Sequence, residues 1–231
     1  MLKLNKLYLM DCMDGMKTFP DKYFDLAIVD PPYGGGQHFN FRFGIDDQVY
    51  DSRKPDKDYW EQLFRVSQNQ IVWGGNYFTN NLPENRCWIS WYKGNPLNSF
   101  SDFELAWTSF DEVCKSVKLV SYGFNHADKR HSGQSTIHPT QKPIALYKWI
   151  LKNYAKPDFK ILDTHVGSAS SIIAFLDYGC EWIGFEIDED YHRAASERIE
   201  IHKKRPKPFF TDGELSDKDS KQKGFFDDNK P

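Results

Sequence analysis

The chain has 231 residues, 39% hydrophobic and 16% aromatic, enough apolar surface to bury a sizeable core and to exclude a fully disordered polypeptide. Lys and Arg number 30 against 33 Asp and Glu, and the formal net charge of −3 argues against an obligate nucleic-acid binder without excluding a local basic patch. A mean hydropathy of −0.68, with no apolar run near the ~18 residues a span needs, excludes a membrane-spanning helix.

Met1–Lys6 has no apolar stretch of the secretory kind. Cys12, Cys87, Cys114 and Cys180 are scattered without CxxC spacing, so they read as reduced thiols of a cytoplasmic protein, neither zinc ligands nor a disulfide frame.

In chain order, Phe24–Val29 is a short apolar run without alternation, which suits a parallel strand buried on both faces. Asp30-Pro31-Pro32-Tyr33 ends it, because proline cannot continue a central strand. Residues 34–57 mix glycines, charges and aromatics without period and read as a long functional loop. Asp58 is positioned to cap a helix carrying Tyr59, Trp60, Leu63 and Phe64. Ile71-Val72-Trp73 is the next strand, stopped by Gly74-Gly75, with a short helix expected through Tyr77, Phe78 and Leu82. Cys87–Ile89 and Phe103–Trp107 are close enough to pair antiparallel, and a further strand is expected around Val117–Val120.

A polar stretch containing Asn125, Lys129, Arg130 and Gln134 leads to His138-Pro139-Thr140-Gln141-Lys142-Pro143. His126, His131 and His138 lack the paired spacing of a zinc site, so no metal is expected. Pro143 suits a first helical turn, and Ile144, Tyr147, Ile150, Leu151 and Tyr154 follow at helical spacing. Ile161-Leu162-Asp163 is a strand, Gly167-Ser168 a turn, and a helix runs to Leu176. Trp182–Glu186 is a strand, and Tyr191 to about Lys203 a helix that Pro206 and Pro208 end, with Ala194, Ala195 and Ile199 inward. The Lys/Asp/Ser-rich residues 207–231 read as a disordered tail.

Two constellations carry chemistry. In the first, a strand ends in Asp163, a turn with Gly167 follows, and the next strand ends in the acid Glu186. Glycine lets a backbone approach a ligand, and an acid about 20 residues on suits a ribose diol. One glycine serves a pyrophosphate poorly, so S-adenosylmethionine fits better than a dinucleotide; an ordinary strand-turn-helix with an exposed glutamate is the bland alternative. In the second, an amine conjugated to an aromatic base is a poor nucleophile. Acceptors against its N–H groups, the Asp30 carboxylate and the Pro31 carbonyl, would free the lone pair, while the prolines stiffen the turn and Tyr33 gives the base a flat face. A strand-ending turn that happens to contain two prolines is the alternative here.

Taken together, these residues resemble the DNA amino-methyltransferase family, with its (Asp/Asn/Ser)-Pro-Pro-aromatic tetrapeptide. Asp11–Met16, Val72–Phe78, His138–Pro143, Leu162–Ser168 and Gly184–Asp188 extend the resemblance over residues 7–203. The tetrapeptide precedes the cofactor loop, the permuted order of the family's β class. The resemblance implies an α/β, Rossmann-like S-adenosylmethionine-dependent methyltransferase fold: a mostly parallel twisted sheet with helices on both faces, an antiparallel strand pair and circularly permuted motifs. It implies one domain over 1–206, with a catalytic half 1–110, small recognition segments 34–57 and 111–137, and a cofactor half 138–206.

Carried over by position, Asp30, Pro31, Pro32 and Tyr33 are the implied catalytic residues. Asp11, Asp163, His165, Gly167, Ser168 and Glu186, helped by His138, Thr140 and Lys142, would hold S-adenosylmethionine. His165 stands where many members have phenylalanine, and Ala169 where glycine is common. Asp at the head of the tetrapeptide resembles the adenine-N6 members, with cytosine-N4 transfer as the alternative. The implied partner is double-stranded DNA with the target base extruded, touched by Phe39, Arg42, Arg53 and Lys54 in one loop and Lys129 and Arg130 in another. A homodimer and a restriction endonuclease partner stay open, as does RNA. A catalytically silent DNA-binding paralogue and a NAD-dependent oxidoreductase are the competing readings; the intact tetrapeptide opposes the first and the single glycine the second.

Overall fold

The computed structural model describes residues 1–34, 54–94, 101–120 and 141–205. Expectations for Phe39, Arg42, Arg53, Lys129, Arg130, His138, Thr140 and the tail 207–231 lie outside these residues. Among the described residues there are eight strands: β1 (Lys6–Leu9), β2 (Phe24–Val29), β3 (Ser67–Trp73), β4 (Trp88–Tyr92), β5 (Phe103–Thr108), β6 (Lys115–Lys118), β7 (Lys160–Asp163) and β8 (Glu181–Glu186). The helices are α1 (Cys12–Lys17), α2 (Lys57–Val66), α3 (Ile144–Tyr154), α4 (Ser170–Tyr178) and α5 (Glu189–Lys204).

All eight strands lie in one sheet in the order β1-β8-β7-β2-β3-β5-β4-β6. The first five are mutually parallel. Strand β5 runs against both β3 and β4, and β6 returns parallel to β4. The expected antiparallel pair is therefore present, but as one reversed strand set between two others.

Both faces of the sheet are covered. Met16, Phe19, Tyr59, Trp60 and Leu63, from α1, α2 and the turn after α1, pack onto Ala27, Val29, Val72, Leu162 and Ile183. Leu146, Ile150, Ile172, Phe175 and Ile199 of α3, α4 and α5 cover Leu26, Ile28, Ile71, Ile161 and Trp182 on the other face. Strand β2 thus contributes to two cores, which is why its sequence does not alternate.

The path of the chain sets the site. From β7 the chain crosses through α4 to β8, and from β2 through α2 to β3, moving away in opposite directions. Strands β7 and β2 are neighbours, so the order reverses between them. Beyond the carboxyl ends of strands at such a reversal, two connections diverge and leave room for a ligand.

Several local expectations need correction. The cap of α2 is Asp56, whose carboxylate accepts the Tyr59 amide at 3.0 Å; Asp58 lies in the first turn, where its charge still favours the helix dipole. A single 3₁₀ turn at Gly75–Tyr77 replaces the short helix expected through Leu82. Pro143 precedes α3 with extended backbone and does not enter its first turn. Strand β6 starts at Lys115, two residues before the expected segment. Ala194 is half-buried, while Ala195, Arg198 and Ile199 form the inward side of α5. Helix α1 was not foreseen: it is six residues long and contains Gly15, which a side chain would drive into the Phe185 ring.

Candidate active site

Asp30 directly follows β2, Gly74 follows β3, Asp163 ends β7 and Glu186 ends β8. These four strands are parallel neighbours, so the four positions share one end of the sheet. Asp11 joins them from β1: Leu9 pairs with Glu186, and the Met10 amide donates to the Glu186 carbonyl at 3.0 Å.

Around Asp30 the side chains form a tight cluster. The Tyr33 hydroxyl donates to Asp30 Oδ1 at 2.6 Å. The Lys142 ammonium pairs with Asp30 Oδ2 and lies 3.3 Å from Glu104 Oε2. Lys93 Nζ closes on Glu104 Oε1 at 2.5 Å. The Tyr33 ring stacks on Tyr77 with centroids 4.9 Å apart and planes 17° from parallel. Gly74 makes that placement possible: its φ is +65°, and a Cβ there would sit 2.2 Å from the Tyr33 ring. Lys54 crosses the same platform, donating to the Tyr77 carbonyl at 3.0 Å.

The charges are mutually dependent. Burial raises the Tyr33 phenol well above its ordinary value, and the nearby Asp30 and Glu104 carboxylates add to the shift. Burial opposes the Lys142 ammonium, yet Asp30 and Glu104 outweigh it and hold the group above the usual lysine range. Burial likewise pushes the Glu104 carboxyl up, and Lys142 and Lys93 pull it below its usual range.

The second cluster surrounds Asp163, which is 3% exposed. Its Oδ1 accepts the His165 amide at 3.0 Å, and its Oδ2 accepts the Ser171 hydroxyl at 2.5 Å. Burial pushes this carboxyl up to about 7 despite those two donors, with the Asp30 and Glu186 charges adding to the rise. Glu186 Oε2 accepts the Gly167 amide at 2.8 Å, and Oε1 accepts the Ile187 and Asp188 amides at 3.0 and 3.1 Å. Burial raises this carboxyl too, against the pull of the same amides.

His165 is partly enclosed, 5.6 Å from the Tyr59 ring, with Nδ1 2.9 Å from Thr164 Oγ1. Desolvation pulls its pKa down to about 4, so near neutral pH it is an uncharged aromatic ring. Tyr59 Oη also lies 2.8 Å from Thr164 Oγ1, which ties α2 to the β7 loop.

Two of the expected residues are engaged in local hydrogen bonds. The Asp11 carboxylate caps α1, accepting the Met13 amide at 2.8 Å. The Ser168 hydroxyl meets Ser170 Oγ at 3.2 Å and its carbonyl takes Arg198 Nη1 at 2.6 Å, contacts that fasten the loop to α5. Lys142, expected beside the cofactor residues, has its ammonium in the Asp30 cluster. Glu104, Lys93, Tyr77, Tyr59 and Thr164 were not foreseen. Glu104 stands in an apolar strand, Phe103–Trp107, where a single acid reads as solvent-facing, and only the arrival of Lys142 shows otherwise.

The profile of the DNA methylase family with N6 and N4 members matches residues 79–197. The chain belongs to this family. The YubD protein of Escherichia coli (strain K12), named a methylase, is 26% identical over 214 residues, 82% of this chain and 87% of that protein. Among solved structures, the M1.HpyAVI–SAM complex superposes with a TM-score of 0.58 at 18% identity, covering 84% of this chain and 98% of the other. PvuII DNA methyltransferase, described as cytosine-N4-specific, gives a TM-score of 0.57 at 16% identity over 84% of this chain and 86% of that one. The α/β fold of this DNA methylase is therefore that of the solved methyltransferases.

The composition of the site bears on which cofactor fits. Asp163 and Glu186 are both buried acids whose charged forms are disfavoured by burial, and Asp11 follows β1 at the same end of the sheet. Such a group suits a ligand carrying positive charge better than one carrying phosphates. S-adenosylmethionine, with a sulfonium and an ammonium against one carboxylate, meets that requirement.

Proposed function

We propose that this DNA methylase transfers a methyl group from S-adenosylmethionine to the exocyclic N6 of an adenine extruded from DNA. The observation that carries the reading is the junction of the two clusters: Asp30 follows β2, Asp163 ends its parallel neighbour β7, and Glu186 ends β8 on the far side of β7. An acceptor for the amine and the acids for the cofactor are thereby within electrostatic reach of each other.

When bound, S-adenosylmethionine supplies a methyl on a positively charged sulfur, already activated for displacement. The chain's own residues do the rest. Glu186, beside the Gly167 turn, takes the ribose end, and Asp163 takes the cationic amino-acid end. Tyr33, backed by Tyr77, stacks the extruded base, offsetting a few kcal/mol of unstacking with roughly 1–3 kcal/mol per base. Asp30 accepts an N–H of the amine and the Pro31 carbonyl accepts the other, drawing the nitrogen out of conjugation so that its lone pair meets the methyl. The methyl's bond to sulfur breaks as the N–C bond forms, and the proton the amine then loses passes to Asp30 or to water, so no strong base is needed.

Asp at the head of the tetrapeptide supports adenine. The likeness to PvuII methyltransferase, described as cytosine-N4-specific, keeps cytosine-N4 as the second reading. Transfer of labelled methyl to DNA followed by nucleoside analysis tests both: N6-methyladenine is expected, N4-methylcytosine would establish the second reading, and no label in either base would overturn the proposal.

A further inference from the structure

In the proposed reaction Asp30 accepts a hydrogen bond from the incoming amine, and on each of its oxygens one partner, a cation among them, already competes for that place. The Tyr33 hydroxyl occupies Oδ1 and the Lys142 ammonium occupies Oδ2. The Lys142 side chain is only 4% exposed. Withdrawing its ammonium from Asp30 with no other partner would strand a buried charge, which is strongly unfavourable.

A second acceptor is already in place. Glu104 Oε2 is buried and lies 3.3 Å from Lys142 Nζ, a longer contact than the one Lys142 makes with Asp30, and among the described residues it has no other partner. Its other oxygen is held by Lys93. The backbone of Glu104 is fixed in β5, opposite Trp91 of β4, so this oxygen does not drift with a loop. The ammonium also lies 5.3 Å from the centre of the Trp73 ring, whose face tolerates a cation on either side of its path. Along the cluster the charges alternate: Asp30, Lys142, Glu104, Lys93.

We infer that Glu104 is a positioning residue whose inner oxygen, already 3.3 Å from the Lys142 ammonium, takes it over when the target amine takes its place on Asp30. This deepens the proposed role of Asp30 and rests on it. In the structure, Lys142 sits on Asp30 with Glu104 at 3.3 Å. When the base enters, a small rotation of the lysine's terminal torsions carries Nζ to Glu104, and Asp30 is released to the amine. The ammonium stays paired in both states and no bond is made or broken. Lys93 keeps Glu104 anchored and ionised throughout.

The experiment is single-turnover methyl transfer to a methylation-free plasmid, with S-adenosylmethionine binding measured in parallel by calorimetry. Glu104→Gln keeps the shape and removes the charge, so Asp30 is left as the only carboxylate paired with Lys142. The transfer rate is expected to fall about ten- to hundredfold while cofactor affinity stays within about twofold. Glu104→Asp restores the charge and is expected to recover much of that loss, although its side chain is shorter. A role in packing alone would place the aspartate below the glutamine. Wild-type transfer by Glu104→Gln, or an aspartate variant no faster than the glutamine one, overturns the inference. Should Glu104→Gln fail to fold, Glu104→Asp is read alone: a lowered kcat with unchanged cofactor KM is expected, and equal damage to both parameters overturns it. A wild-type enzyme that transfers no methyl to DNA instead overturns the proposed function itself.

Discussion

Asp30 and Asp163 stand at the carboxyl ends of adjacent parallel strands, β2 and β7, and the charge of Asp30 adds to the elevation of the Asp163 carboxyl. They come from opposite halves of the chain, one from the Pro-Pro turn and one from the glycine-turn half. Their proximity follows from the reversal of strand order between β7 and β2, which brings two divergent connections to one end of the sheet. The Tyr59–Thr164 contact then fastens the halves behind them.

Because the two carboxylates serve different partners in the proposed reaction, their removal should have separable effects. Asp30→Ala is expected to lower kcat at least about a thousandfold, the scale of losing a group that acts on the reacting atom. Cofactor affinity should change by only about a few fold, since Asp163, Gly167 and Glu186 are untouched. Calorimetric titration beside labelled-methyl transfer checks this; retained transfer would remove Asp30 from its assigned role.

Gly74 connects backbone conformation to the proposed base platform, the Tyr33–Tyr77 stack. An alanine there meets a φ of +65°, costing roughly 1–2 kcal/mol, and its Cβ cannot coexist with the Tyr33 ring. Gly74→Ala is therefore expected to lower the melting temperature and raise KM for DNA together, as Tyr33 leaves its stack on Tyr77. A melting curve and DNA-dependent kinetics test it, and an unchanged KM would detach the ring from substrate binding.

How far the site was legible in the sequence depends on distance along the chain. Asp30, Asp163 and Glu186 were legible because each ends an apolar strand and is followed by residues that stop it: two prolines, the Gly167 turn, or the Asp188 cap. Ala169 stood out as a departure from glycine, and the backbone supplies the reason, since its φ is +62° at the start of α4. Lys142 was legible as a site residue but not in its place, because its partners Asp30 and Glu104 come from two other strands. Glu104 was invisible, since strand alternation says which face a residue takes but not what approaches it. Helix α1 was missed for a related reason: Gly15 counts against a helix locally and is required by the Phe185 ring above it.

His165 tests whether a ring or a titrating group is wanted after Asp163. Its pKa is depressed from 6.5 to about 4 in the folded protein. Between those values the unfolded chain binds a proton that the folded one refuses, so this residue makes stability fall on acidification. His165→Phe keeps the ring and removes that proton. The variant should lose less stability than wild type as pH drops from 6.5 to 4, with cofactor binding retained at pH 8. Urea denaturation at several pH values measures it, and parallel pH profiles for the two proteins would contradict the account.

Asp163 has the opposite sign. Its folded pKa is raised from 3.8 to about 7, so in that window the folded protein holds a proton that the unfolded chain has released. Stability from this group is complete below about 4 and is lost as pH rises through 7. Asp163→Asn cannot ionise, and its stability should decline less than that of wild type between pH 5 and 8. In the proposed binding role the same burial matters. A cationic ligand beside Asp163 favours its charged form, so binding must expel the proton whenever the pH lies below 7. Affinity for S-adenosylmethionine should therefore weaken below that point, approaching about tenfold per pH unit if this one group dominates. Titrations at pH 8, 7 and 6 and constant ionic strength test the slope. Asp163→Asn should bind weakly at every pH and show a flat profile; an equally steep profile in that variant would assign the proton to another group.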